Sequence, residues 1–361
     1  MHIAIIGLAN SGKTTVFNAL TGAAAETASY SAAGHLEPNR AVVKVPDARL
    51  SVLTQMFRPR KTVEAEVQYV DVAGISHEGK QGSGLPPALL NYLSSADALL
   101  HVVRAFEDER IAHPDGSVDM ARDAAALDLE LIFSDLAIIE RRLKRLEAEI
   151  GKMGAREREA RVAERDLLQR LQAALEADTP VRALELSEEE ERSIRGYQFL
   201  TAKPMLVVLN IGENQIHHPP QFAYPHPRSA VVPLCGKIEA ELGQLDLDDA
   251  QVFMDDLGIT ETARERVIRC SYELLGLMSF LTAGPDEVRA WTIRQNTPAV
   301  EAAGTIHSDI QRGFIRAEVV AYDDLVAAGG MNEAKKTGTV RMEGKQYIVQ
   351  DGDVCHFLFN V

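Results

Sequence analysis

Residues 2–22 read HIAIIGLANSGKTTVFNALTG, and this stretch decides the fold. His2 to Ile6 is a short apolar run rich in β-branched isoleucine, the pattern of a buried strand. Gly7-Leu8-Ala9-Asn10-Ser11-Gly12-Lys13-Thr14 follows at once and fits G-x-x-x-x-G-K-[ST] at every fixed position. From Thr14 to Leu20, with Val16, Phe17 and Leu20 apolar, the chain reads as the start of a helix. Strand, glycine loop and helix in that order make a phosphate cradle. Gly7 and Gly12 let successive N–H groups turn inward toward an anion. The helix start adds unpaired donors and a positive dipole end. Lys13 is the candidate catalytic cation facing the β- and γ-phosphates, and the Thr14 hydroxyl is a candidate Mg²⁺ ligand. Asn10, Ser11, Gly12 and Thr15 complete the loop expected to touch the nucleotide.

Working outward, Val63 to Val70 alternates apolar and polar residues and ends in Asp71-Val72-Ala73-Gly74. A carboxylate at a strand end beside the cradle holds Mg²⁺, usually through water, so Asp71 is the second candidate metal residue. Gly74 is expected to let the backbone approach the γ-phosphate. Residues 23–40 and 75–85 lack periodicity and fall where two switch loops belong. DALLHVVR (97–104) reads as a buried strand, followed by a polar loop that contains His113. KPMLVVLN (203–210) and SAVVPLC (229–235) read as two more strands. Each ends where a base-recognition loop is expected: Asn210, Ile211 and Glu213 after the first, and Leu234, Cys235 and Gly236 after the second.

Between these strands the pattern changes. Leu136, Ile139, Leu143, Leu146, Ile150 and Met153 recur at coiled-coil spacing, and Leu168, Leu171 and Leu175 follow beyond Gly151 and Gly154. This predicts an antiparallel helical hairpin inserted into an α/β domain. Residues 136–172 hold 10 Lys/Arg and 7 Asp/Glu on a chain of net charge −15, so the hairpin is either a salt-paired solvated face or a docking surface. Residues 263–283 read as a helix, and from about Gly284 the texture becomes strand and turn, with Asp351-Gly352 as a hairpin signal. The expected division is therefore 1–135 with 200–282, a helical insert over 136–199, and a small β domain over 283–361.

The acidic balance argues against indiscriminate nucleic-acid binding. Cys235, Cys270 and Cys355 match no zinc or redox spacing. No apolar run approaches a membrane span, and no basic-plus-apolar leader precedes the first strand, so a cytoplasmic chain with no membrane partner is expected.

Taken together, GLANSGKTTVFNALT, LEPNRAVVKVPDARL, DVAGISHEGKQGSGL, LNIGEN and the tail from WTIRQNTP to HFLFNV resemble the YchF, or Obg-like ATPase, family along the whole chain. The resemblance implies an α/β phosphate-loop NTPase switch domain, an inserted antiparallel coiled-coil hairpin and a C-terminal β-grasp (TGS) domain. It also implies a preference for ATP and association with the ribosome. Neither basic patch is large, so the hairpin and the C-terminal TGS domain are expected to dock together. Three departures bear on mechanism. Asn210-Ile211-Gly212-Glu213 stands where ordinary GTPases carry Asn-Lys-x-Asp, which counts against guanine. Ile75 stands where Ras-like proteins orient water with Gln, and His113 matches a loop histidine considered for that role in the family; a plain surface histidine is the alternative. His35 replaces the family's switch threonine, and imidazole is a poor Mg²⁺ ligand. Asn10 also matches the position at which potassium-dependent relatives hold K⁺, with a purely loop-shaping role as the alternative. The readings left open are a slow ATPase switch, a GTPase of the same fold, and a non-catalytic nucleotide-sensing module.

Overall fold

The computed structural model describes residues 1–22, 38–72, 85–151 and 154–360. The chain runs β1 (His2–Ile6), α1 (Lys13–Thr21), β2 (Asn39–Lys44), α2 (Ala48–Phe57), β3 (Lys61–Val63), β4 (Glu66–Asp71), α3 (Pro87–Ser95), β5 (Ala98–Arg104), α4 (Met120–Ile150), α5 (Ala155–Glu176) and α6 (Glu188–Ile194). It continues with β6 (Met205–Asn210), β7 (Ser229–Leu234), α7 (Gly236–Leu242), α8 (Leu247–Asp256), α9 (Ala263–Leu274), β8 (Leu277–Ala283), β9 (Glu287–Arg294) and α10 (Ala299–Ile306). Last come α11 (Ser308–Arg312), β10 (Phe314–Ala321), α12 (Tyr322–Ala328), α13 (Met331–Thr337), β11 (Arg341–Glu343) and β12 (Asp353–Phe359). Two compact units form, 1–41 with 68–267 and 42–67 with 268–361.

The first unit is built on a sheet of order β2-β4-β1-β5-β6-β7. The pairs β1–β4, β1–β5, β5–β6 and β6–β7 are all parallel. Every residue of β5 and β6 is buried, as expected for strands covered on both faces. Parallel strands place their C-terminal ends on one edge, and in open α/β sheets ligands bind there. The loops after β1, β4, β5, β6 and β7 therefore converge, and they carry the candidate residues.

Helix α4 starts at Met120, well before the seam read from Leu136, because Asp119 caps it through Ala121 N and Arg122 N. The helix serves two cores. Ala124, Leu127 and Leu131 pack against the sheet. Ile132, Ile139, Leu146 and Ile150 pack with Leu168, Leu171 and Leu175 of α5. Arg142 reaches Glu164 at 2.7 Å across the pair, residues nearly equidistant from the turn, so the two helices are antiparallel. The ends of this insertion are pinned together by buried Asp135, which accepts from Leu200 N at 2.9 Å, Thr201 N at 2.8 Å and Thr201 Oγ1 at 2.7 Å. Burial pushes its carboxyl up to about 6, against the pull of those hydrogen bonds.

The second unit carries a sheet of order β11-β10-β12-β8-β9-β3. β8 and β9 form an antiparallel hairpin, β10 pairs antiparallel with β12, and β12 lies parallel to β8. Ala299, Ala302 and Ala303 of α10 pack on Phe280, Phe314 and Phe357. Hairpin, crossing helix and a last strand parallel to the first define a β-grasp.

Two boundaries differ from the sequence reading. The helix expected over 263–283 stops at Leu274; Gly276 turns the chain with φ 64°, and Leu277–Ala283 becomes β8. Residues 42–67 also join this unit, since β3 pairs with β9. There Arg49 grips Asp47 at 2.9 Å and Asp351 at 2.7 Å. Cys235, Cys270 and Cys355 form no disulfide among the described residues. Among the described residues no helix is long and apolar enough to cross a membrane.

Candidate nucleotide-binding site

Backbone geometry builds the cradle first. Gly12 sits at φ 89°, and a Cβ there would lie 2.2 Å from Asn210 Nδ2. Gly7 sits at φ 155°, which L side chains rarely adopt, and a Cβ would lie 2.5 Å from the Val102 carbonyl. Both glycines are therefore required by close approach. Asn10 takes the left-handed conformation at φ 60° and donates from Nδ2 to the Ala112 carbonyl at 3.0 Å.

The side chains that follow are buried and poorly satisfied. Lys13 is 7% exposed and donates to the Gly7 and Leu8 carbonyls at 3.1 and 2.6 Å. Burial pushes its ammonium down to about 8, against the attraction of Asp71. Thr14 Oγ1 donates to Asp71 Oδ2 at 3.0 Å, while Asp71 Oδ1 is buried with no partner. Burial raises the Asp71 carboxyl, with the Thr14 hydrogen bond opposing it. Ser11 Oγ is likewise buried and unpartnered. Orphaned buried oxygens are costly, and two hard oxygen donors beside a lysine fit a magnesium–phosphate group.

The base-loop residues do three different jobs. Asn210 is a staple: Nδ2 donates to the Ser11 carbonyl at 3.0 Å, and Oδ1 accepts from Gly236 N at 3.2 Å. Gly236 is close-packed, since a Cβ would meet Asn210 Oδ1 at 3.1 Å and Thr15 Cγ2 at 3.2 Å. Leu234 and Cys235 are buried beside it, and burial pushes the Cys235 thiol up. Ile211 lies in the core of the unit. Glu213 is half-exposed and paired with Lys237 at 2.6 Å.

His113 is brought next to the loop by the Asn10–Ala112 contact, but its ring is occupied. Nε2 donates to Asp123 Oδ2 at 2.8 Å, and Nδ1 accepts from Asp115 N at 3.1 Å. Gly74, His35 and Ile75 lie outside the described residues.

Two residues escaped the sequence reading. Arg104, at the end of β5, is 3% exposed and donates to the carbonyls of Phe106 at 3.1 Å, Asp108 at 3.3 Å and Ile111 at 2.9 Å. Its guanidinium stacks over the Phe106 ring at 4.5 Å. The Phe106 side chain runs between the phosphate loop and the base loop: its ring edge (Cε1) lies 3.9 Å from a Cβ built on Gly12, and its own Cβ lies 3.7 Å from one built on Gly212. An arginine and an aromatic at a strand end, in HVVRAF, were the signal that could have found them.

A parallel sheet with a glycine cradle at its C-terminal edge and an Asn staple between loops defines a phosphate-loop NTPase domain, here joined to a β-grasp domain. A family described as "50S ribosome-binding GTPase" matches residues 2–135, and YchF-GTPase_C, described as "Protein of unknown function (DUF933)", matches residues 277–360. The chain is 43% identical to the "Ribosome-binding ATPase YchF" of Bacillus subtilis, over 99% of this chain and 98% of that one. It is 35% identical to the human "Obg-like ATPase 1", over 100% and 92%. The solved Schizosaccharomyces pombe YchF GTPase superposes with a TM-score of 0.86 at 29% identity, covering 99% and 97%. The chain belongs to the YchF/Obg-like ATPase family.

Proposed function

We propose that this protein is a Mg²⁺-dependent, slowly ATP-hydrolysing switch that binds the ribosome from the cytoplasm. The observation that carries the reading is the pairing of Thr14 with Asp71 beside buried Lys13, with Asp71 Oδ1 and Ser11 Oγ left without partners. Lys13 exchanges its loop carbonyls for phosphate oxygens. Thr14 and Asp71 would hold Mg²⁺, which supplies charge neutralisation at the β- and γ-phosphates. Asn210 links the phosphate loop to the loop at Gly236, so the residues at both ends of a nucleotide are held by one side chain.

ATP is favoured over GTP on the base-loop chemistry. Ile211 offers no lysine stem, and Glu213 is drawn to Lys237 rather than held alone as a guanine acceptor. Recognition then rests on Asn210 and on the backbone of Leu234 to Gly236. Phe106 is the proposed stacking face. The relatives' names divide between ATPase and GTPase, and titration calorimetry of the wild type with each nucleotide decides the matter. ATP should bind at least about tenfold more tightly, the worth of one unpaired polar group. Tighter GTP binding would overturn the reading. Asn210→Ala should weaken both nucleotides.

Ribosome binding is assigned to the exposed basic residues of α4 and α5 together with the β-grasp unit. Arg141 and Arg145 are exposed. Arg142, between them on α4, is committed internally to Glu164 and Glu149. In the β-grasp unit Arg316 is exposed, while Arg312 is paired with Asp309.

A further inference from the structure

The loop from Ala105 to Asp119 is stitched down along its length. Arg104 holds the carbonyls of Phe106, Asp108 and Ile111, and Asn10 holds that of Ala112. The last part is fastened to the first turn of α4. Asp123, 2% exposed, takes His113 Nε2–H on Oδ2 at 2.8 Å. Its Oδ1 accepts from Arg122 Nε at 3.0 Å and Nη2 at 2.8 Å. Arg122 in turn donates to the Ser117 carbonyl at 2.5 Å and Ser117 Oγ at 3.2 Å. The His113 side chain is only 5% exposed. His113, Asp115 and Asp123 also stand within metal-ligating distance of one another. Arg122 already neutralises Asp123 and both imidazole nitrogens are engaged, so this is a latch and not a cation site.

We infer that Asp123 is the positioning residue that holds His113 off the reaction, and that α4 carries the release. This rests on the assignment of His113 to water activation. A ring with both nitrogens engaged and one twentieth exposed cannot orient a water at a γ-phosphate. Its partner lies on the helix whose distal half forms the hairpin core through Ile139, Leu146 and Ile150. A load on the hairpin therefore reaches Asp123 along one continuous helix, and slipping that first turn frees the imidazole. On release the imidazole has an unprotonated ring nitrogen free to accept a proton from water. Slow turnover in the free protein follows directly.

The test reads turnover and tautomer together. Asp123→Ala should raise ribosome-free ATP turnover about tenfold, the weight of one charge-assisted hydrogen bond. Asp123→Asn keeps one acceptor oxygen for two partners, Arg122 and His113, and should fall between wild type and Asp123→Ala. The double variant His113→Ala with Asp123→Ala should lose the gain. Histidine ¹⁵N spectra of the wild type should show His113 fixed as the neutral Nε2–H tautomer, a reading that does not depend on any variant folding. A freely exchanging His113 tautomer in the wild type would overturn the latch and leave the catalytic assignment standing. A freed ring in Asp123→Ala with no gain in turnover would overturn the role of His113, and the control proposed for α4 with it.

Discussion

The phosphate loop and the helical hairpin treat their charges in opposite ways. At the loop, Lys13 is buried on carbonyls, and Ser11 Oγ and Asp71 Oδ1 have no partners. In the hairpin, Arg142 reaches Glu164 and Glu149, Arg161 reaches Glu164 at 2.8 Å, and the Tyr197 hydroxyl closes on the same carboxylate. Glu164 is held down to about 2: burial raises it, and the hydrogen bonds from Arg142, Tyr197 and Arg161 more than offset that. The hairpin is complete in itself. The loop is completed by something else, and stability is given up there for binding.

The sharpest way to break this comparison is Lys13→Met. It should reduce ATP turnover by at least about a hundredfold, because the charge facing the phosphates is lost. The same change should raise the melting temperature of the nucleotide-free protein. With its pKa lowered from 10.5 to about 8, the folded state holds its proton less well than the unfolded chain. That costs on the order of 2–3 kcal/mol at neutral pH. The cost shrinks as pH rises from about 8 toward 10.5, where the unfolded chain still binds the proton. A lower melting temperature in Lys13→Met would show that the buried ammonium is structural. The companion measurement is calorimetry at pH 8 in buffers of different ionisation enthalpy. ATP binding restores a full charge to Lys13, so uptake of roughly half a proton is expected. Affinity should fall as pH rises above that point, and zero uptake would contradict the lowered pKa.

The hairpin gives the converse result. Glu164→Gln should cost about 1 kcal/mol of hairpin stability, a value discounted for the network's partial exposure. The sign follows from the depressed pKa. The contribution is present above about 4.5 and is lost as pH falls toward about 2. The mutant should therefore be flatter than wild type across that window by circular dichroism. Charge reversal separates structure from docking on the same helix. Arg142→Glu should melt the hairpin. Arg141→Glu with Arg145→Glu should leave it folded and weaken ribosome co-sedimentation, with a shallower salt dependence. Intact co-sedimentation in the latter would remove the hairpin from the docking surface.

The contrast also marks what could be read from sequence. The cradle was legible because Gly7, Gly12, Lys13 and Thr14 occur at fixed spacing and answer to the chemistry of phosphate, which varies little. The hairpin was legible because Ile139, Leu146 and Leu171 keep a coiled-coil period. The domain limits were not, for two physical reasons. α4 changes cores between Leu131 and Ile132 without breaking, so no local signal marks the junction. A single Gly276 converts an apolar helix reading into the central strand β8. The roles of Asn210, Glu213 and Asp123 were hidden because each depends on a partner far along the chain or on a loop fold. Asn210 answers to Ser11 and Gly236, and Glu213 to Lys237.

The smallest effect expected concerns monovalent cations, and it bears on whether the loop is completed by the nucleotide and Mg²⁺ alone. Asn10 is exposed, left-handed and fixed through Nδ2 to the Ala112 carbonyl. That contact uses the donor end of the amide, and the carbonyl end is the one suited to a cation. K⁺ held there beside the β- and γ-phosphates would stand in for an arginine finger. The same contact, however, fastens the latched loop to the cradle, so Asn10 has a structural duty whatever the ion. If the duty is only structural, turnover in KCl and NaCl at matched ionic strength should agree, and Asn10→Ala should loosen His113 in the ¹⁵N spectrum. If the carbonyl also serves a cation, KCl should raise turnover a fewfold over NaCl, and Asn10→Ala should erase that difference. Equal rates in the two salts would remove K⁺ from the site and leave Asn10 as the anchor of the His113 loop.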